Sequence, residues 1–266
     1  MTDRFAGYSR IRASREGRVL KLELSNPSLR NAVDAQMHRE LASIFTDAQE
    51  DEESLAVLLT GDPAGKAFSA GGDIRWMKES LEKGSGGPGA VEARRIVGGL
   101  LDLEKPIVAA INGPAVGLGA TIALLCDVIF IAESGHVADP HVRVGVVAGD
   151  GGALVWPLLV GPARAKEYLM TGDPVPGPEA ERIGLVNHVV ADDALHDRAM
   201  GFAQRLARGA PQAVQHTKTA VNLVLRQAWP VFEASLASEM LSFTRNDHRE
   251  AVASFLEKRE PGFTNS

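Results

Sequence analysis

The stretch "KPIVAAINGPAVGLGATIALLCDVIFIAE", Lys105–Glu133, decides the fold class. Pro106–Gly113 is a short apolar run closed by Asn112 and Gly113, the pattern of a strand covered on both faces. Gly117–Asp127 starts on glycine and continues as a helix, and Asp127–Glu133 reads as a second strand. Strands alternating with helices define an α/β protein.

The pattern extends outward. In Arg18–Ser25, Val19, Leu20, Leu22 and Leu24 are apolar while Lys21 and Glu23 point outward, so this is a strand. Asn26 and Pro27 break it. Asp34 is placed to cap a helix carrying Met37, Leu41, Ile44, Phe45 and Ala48 at helical spacing. Leu55–Gly61 is another buried strand. Ser80–Ala90, rich in glycine and charge, reads as a mobile surface loop, and a helix follows from about Ala90 to Leu103. From Pro157 onward the spacing is helical, broken by short turns. The expected organisation is a core domain over residues 1–200 carrying the site and a helical region over 201–266.

Composition removes several function classes. Of 266 residues, 45 % are hydrophobic and 23 % charged, enough for a sizeable core. The formal charge of −6 argues against a nucleic-acid or anionic-membrane surface. Cys126 is the single cysteine, so no internal disulfide forms, which suits a reducing compartment. No apolar run approaches the roughly 18 residues of a membrane span. A cytoplasmic protein is the expectation.

Two glycine turns leave strands and enter helices: "GKAFSAGGD" (Gly65–Asp73) and "INGPAVGLGATIALL" (Ile111–Leu125). Small residues there let backbone N–H groups approach a ligand at a helix N-terminus. Brought together, two such turns hold one oxygen between two donors, an oxyanion hole; tight strand–helix packing is the plainer role for the same glycines. No phosphate-loop Lys-Ser/Thr follows either turn. No G-x-S-x-G surrounds Ser69, and no residue cluster has metal-ligand spacing.

Together with "RNAVDAQMHREL" (Arg30–Leu41), "GPARAKEYLMTGDPVPGPEAERIGLVNHVV" (Gly161–Val190) and "FLEKREPGF" (Phe255–Phe263), these stretches resemble the crotonase, or enoyl-CoA hydratase/isomerase, superfamily. The resemblance implies a crotonase-like spiral of ββα units with a C-terminal helical trimerisation region, forming a trimer or a dimer of trimers. It implies an acyl-CoA substrate, an enolate held in an oxyanion hole, and no cofactor beyond the CoA of the substrate. By position the hole donors are the N–H groups of Gly72 and Leu118. Arg30, Ala32 and Ala70 fall on the CoA path. Trp76 and Trp156 are candidate pocket walls, Glu239 a pocket glutamate, and Lys258 a CoA-phosphate contact.

The chain departs from the hydratase pattern at both catalytic carboxylates. One position holds Thr121 and the other His141, after Pro140. A histidine whose ordinary pKa is about 6.5 suits a general base, and Asp150, between Gly149 and Gly151, is placed to orient it. The other reading makes His141 a hydrogen-bonded core residue and Asp150 a helix cap. "PHVRVGVVAGDGGALVWPLLVG" (Pro140–Gly161) also resembles a superfamily branch that hydrolyses carbon–carbon bonds of cyclic β-diketones, although that branch carries a histidine where this chain has Leu118. Three functions follow: an acyl-CoA enzyme of hydratase/isomerase type using a His–Asp pair, a β-diketone hydrolase, or a catalytically silent binding homologue. The other histidines, His38 among them, read as structural or exposed.

Overall fold

The computed structural model describes residues 4–83, 89–264 and 266. The chain begins with the hairpin β1 (Ile11–Glu16) and β2 (Val19–Leu24), then α1 (Ala35–Gln49) and β3 (Ala56–Gly61). Next come α2 (Ile74–Glu82), α3 (Ala90–Asp102), β4 (Ile107–Ile111), the two-residue β5 (Ala115–Val116) and α4 (Leu118–Leu124). Then follow β6 (Val128–Ala132), β7 (His136–Ala138) and α5 (Gly152–Thr171), which kinks at Gly161 ahead of Pro162. The remainder is β8 (Val175–Pro176), α6 (Gly177–Arg182), β9 (His188–Val190), α7 (Leu195–Ala207), α8 (Pro211–Gln227), α9 (Trp229–Ser242) and α10 (Asn246–Glu257).

Six strands form one sheet in the order β1-β2-β3-β4-β6-β9, parallel except for the β1–β2 hairpin. A second sheet, β5-β7-β8, pairs β5 parallel to β7. Alternation along the strands assigns each residue to a face. Leu20, Leu22, Leu24, Val57, Leu59, Ile107 and Ala109 join one large core. Val19, Ala56, Leu58, Val108 and Ala110 join a second core under α7. Each large side chain so buried contributes about 1.5–3 kcal/mol. The outward Lys21 and Glu23 pair with each other at 3.1 Å. Asp34 caps α1 as expected, accepting from Met37 N at 2.8 Å.

Three expectations change. Ser80–Glu82, assigned to a loop, belongs to α2; the rest of the expected mobile loop lies largely outside the described residues. The stretch after Pro157 is not purely helical. Gly184, at φ 79°, ends the α6 turn, and β9 adds the last strand to the main sheet. A three-residue strand is too short to impose a period of its own on the sequence. Finally, α7 crosses residue 200, with Ala203 and Ala207 packed in the same cluster as Ala199, so a boundary at 200 falls inside one helix. Among the described residues no helix is long and apolar enough to cross a membrane.

Candidate active site

The parallel strands β3 and β4 each run out into a glycine turn at the same edge of the sheet. An isolated bridge, Ser69 with Ala115, sets the two turns side by side. They touch closely: a Cβ on Gly71 would lie 3.0 Å from Val116 O. Just beyond this contact, Gly72 and Leu118 both line a small inner chamber of about 40 Å3. Among the described residues neither N–H has a protein acceptor, since Leu118 opens α4, where the first amides have no intrahelical partner. Asp73 caps α2 through Arg75 N.

The second sheet delivers the histidine. Gly117 N donates to Ala138 O at 2.9 Å, so the end of β7 lies against the second turn. His141 follows three residues later, its Cε1 3.6 Å from where a Gly117 Cβ would stand. Its Nδ1 is hydrogen-bonded to Asp139. Its Nε2 lies 3.3 Å from Asp150 Oδ2 and 4.0 Å from Glu239 Oε1. Thr121 Oγ1 donates to Asp150 Oδ1 at 3.1 Å. The pair foreseen from the sequence therefore meets, but with different roles. Asp139 holds the inner nitrogen that Asp150 was expected to hold, and Asp150 stands on the nitrogen that faces Glu239.

Asp139 was missed although it stands two residues before His141. Pro140 separates them, and a contact between i and i+2 across a turn leaves no periodic signal. The two turn glycines that flank Asp150 serve different purposes. Gly151 has φ 125°, as expected of a residue free of a side chain. Gly149 has no such φ and serves close approach instead: a Cβ there would fall 2.4 Å from Glu239 Cβ and 2.5 Å from Ser235 O. Its bareness lets α9 close on the site and bring Glu239 in.

The electrostatics follow from burial and proximity. Burial pushes the His141 imidazole down, but the Asp139 and Asp150 carboxylates outweigh it and hold the ring well above its ordinary value. Burial likewise pushes Asp150 up, and the His141 cation with its hydrogen bond, helped by Thr121, holds it below the usual carboxylate range. Glu239 is raised well above the usual range by burial, reinforced by the charge of Asp150 and only partly opposed by His141. Its Oε2 is buried without a partner among the described residues. These shifts favour a charged His141 and Asp150 beside a protonated Glu239 in one small chamber. Asp139, His141 and Asp150 also lie close enough together to suggest a metal trio. Yet each ring nitrogen already faces a different carboxylate, so no imidazole lone pair points at a common centre.

Of the remaining candidates, Trp76 lines the inner chamber with Met77. Ala70 lines an outer cleft of about 390 Å3, which shares Gly72, Met77 and His141 with the chamber. Arg30 is exposed and Ala32 buried, and neither side chain lines either cavity; Arg30 O accepts from Ala70 N at 3.1 Å. Trp156 is corrected: it is fully buried, 5.9 Å from the Tyr168 ring, and away from the chamber. Its place in an apolar helix turns it to the core. Lys258 is exposed at the end of α10, and Arg259, held by Glu250 and Glu257, lines the cleft instead. His38 is corrected in the other direction: it lines the inner chamber.

The known proteins agree with this architecture. Residues 14–266 match the family model described as enoyl-CoA hydratase/isomerase. The chain is 34 % identical to the short-chain-enoyl-CoA hydratase of Clostridium acetobutylicum, over 94 % of this chain and 96 % of that one. It is 32 % identical to the 2,3-dehydroadipyl-CoA hydratase of Escherichia coli, over 96 % and 98 %. The crystal structure of an enoyl-CoA hydratase/isomerase from Mycobacterium paratuberculosis superposes with a TM-score of 0.85 at 37 % identity, covering 92 % of this chain and 98 % of that one. The fold is an α/β crotonase fold, and the chain belongs to the enoyl-CoA hydratase/isomerase family of enzymes.

Proposed function

We propose that the protein acts on a short acyl-CoA thioester through an enolate, with Asp150, His141 and Glu239 doing the work of the usual two glutamates. The observation that carries this reading is the meeting of two N–H groups without a protein acceptor among the described residues, Gly72 and Leu118, with Asp150, His141 and Glu239 in one chamber. The directions of their pKa shifts support an ionised Asp150 beside a protonated Glu239. The thioester oxygen sits between the two amides, where developing negative charge is stabilised. The acyl chain occupies the inner chamber, and the CoA portion runs through the outer cleft past Ala70.

Hydration of a conjugated enoyl thioester fits these groups. Asp150 takes a proton from a water as its oxygen bonds to the β-carbon. The electron pair moves onto the thioester oxygen as an enolate, and Glu239 gives its proton to the α-carbon. His141, between the two carboxyl groups, returns the proton from Asp150 to Glu239. Its role is thus to hold Asp150 ionised and relay a proton, rather than to serve as a base oriented by Asp150. The exposed Val221, Leu223 and Val224 of α8 support self-association, for which a trimer is the proposed state.

Hydrolysis of a cyclic β-diketone is the second reading, favoured by the Asp139–His141–Asp150 chain, which suits water activation without CoA. Calorimetry with butyryl-CoA and loss of enoyl absorbance with crotonyl-CoA test the first. Binding and hydration are expected, with a drop of about 10²–10⁴-fold in Asp150→Asn and in Glu239→Gln. No thioester binding, together with turnover of a cyclic β-diketone, would replace the first reading by the second.

A further inference from the structure

The inner chamber has a second polar group that the proposed chemistry does not use. His38, on α1, is 2 % exposed, and its Nδ1 lies 2.6 Å from Glu92 Oε2 on α3. Its ring packs against Trp76 at 5.5 Å between centroids. Apart from His141, Asp150 and Glu239, the chamber wall is largely apolar, formed by side chains such as Val33, Met77, Leu118 and Phe243. With the Glu92 carboxylate as acceptor, the His38 Nδ1–H donates to it. Burial pushes the His38 pKa down, against the pull of Glu92 and of Asp150, which keeps the ring neutral. Nε2 is then a bare acceptor. It has no partner among the described residues and is not among the fully enclosed unpartnered atoms, so its lone pair opens on the chamber.

A buried polar acceptor held in place by a second residue is costly unless a water or a ligand group meets it. We propose that His38, fixed by Glu92, is a specificity residue that accepts a hydrogen bond from a hydroxyl on the acyl chain, so that the preferred substrates are hydroxylated acyl-CoA thioesters. This rests on the acyl-CoA reading above. The hydroxyl lies beyond the β-carbon, because in the proposed chemistry the α- and β-carbons are taken up by Asp150, His141 and Glu239. The small chamber keeps it within a few carbons of the thioester. A keto group at the same place has no proton to donate and meets the Nε2 lone pair unfavourably.

The probes are non-reacting saturated thioesters, measured by calorimetry: butyryl-CoA against 4-hydroxybutyryl-CoA, and pentanoyl-CoA against 4-hydroxypentanoyl-CoA, 5-hydroxypentanoyl-CoA and 4-oxopentanoyl-CoA. At least one hydroxylated member should bind about tenfold more tightly than its parent, as one buried hydrogen bond allows, and the oxo compound should gain nothing. In His38→Leu the hydroxyl-to-parent ratio should fall to about one. The nitrogen-15 resonance of His38 Nε2 in the unmodified protein gives an independent reading, shifting with the hydroxylated ligand and not with its parent. Tight binding of all the thioesters without a hydroxyl preference would overturn this inference and leave the acyl-CoA reading standing. Binding of none of them would overturn both.

Discussion

The imidazole of His141 gives its Nδ1 to Asp139 and turns Nε2 toward Asp150, 3.3 Å away. The ring is thus held between two carboxylates, and its charge is the reason Asp150 stays ionised in a buried chamber. Replacing Asp139 by Asn removes the anchor and lowers the His141 pKa. The alkaline limb of the pH profile of kcat/KM should then move toward neutrality, with kcat reduced about 10²-fold or more. A folded-state pKa raised above the unfolded value gives stability that is present in full below about pH 6.5 and lost as pH rises through the folded value. Asp139→Asn should therefore cost more stability at pH 6 than at pH 10, measured by urea unfolding. An unchanged profile would deny Asp139 its role.

Thr121 donates to Asp150 Oδ1 at 3.1 Å, from the position where the hydratase pattern has a glutamate. Thr121→Val keeps the shape and removes the donor. The Asp150 pKa should rise, carrying the acid limb of the profile upward, and kcat should fall about tenfold. A fall in kcat with no movement of the limb would assign Thr121 to packing alone.

Glu239 is held protonated by burial beside Asp150. A carboxyl with a raised folded pKa disfavours the folded state increasingly as pH rises from the unfolded value, about 4.3, to the folded one. Glu239→Gln removes that dependence. The variant should melt a few degrees higher than the parent at pH 8 and show a smaller advantage at pH 5, while losing activity. Thermal scans at both pH values decide this; an advantage greater at pH 5 would contradict the protonated assignment.

Gly149 leaves no room for a methyl group against Glu239 Cβ and Ser235 O, and the second of these is backbone that cannot rotate away. Gly149→Ala should displace α9, costing about 1–3 kcal/mol of stability and moving Glu239 off the chamber. Denaturant unfolding and turnover should fall together. Retained turnover would show that α9 does not position Glu239 as described.

The legibility of the site varied by residue. The two amides of Gly72 and Leu118 were legible because each belongs to one local pattern, a strand running through glycines into a helix. His141 and Asp150 were legible as a departure from a familiar pattern. Glu239 was legible only by resemblance, since its helix has no local feature that aims it at residues ninety positions earlier. Trp156 misled because nearness in sequence to Asp150 says nothing about which face of α5 it occupies. His38 was passed over because a histidine in an amphipathic helix looks the same whether it faces the core or a chamber.

By itself the sequence determined the α/β class, the alternation that sends Leu20, Leu22 and Leu24 to one core and Val19 to the other, and the two glycine turns. These are local properties, set by side-chain period and backbone freedom within a few residues. Only the tertiary structure decided that Asp139 anchors His141, that Glu239 joins it from α9, and that His38 opens on the same chamber. Those meetings depend on sheet register and on how closely distant helices can approach, and protonation follows from the burial they create. The same ring in the same stretch of chain is a base, a cation or a core residue according to what the fold brings against it.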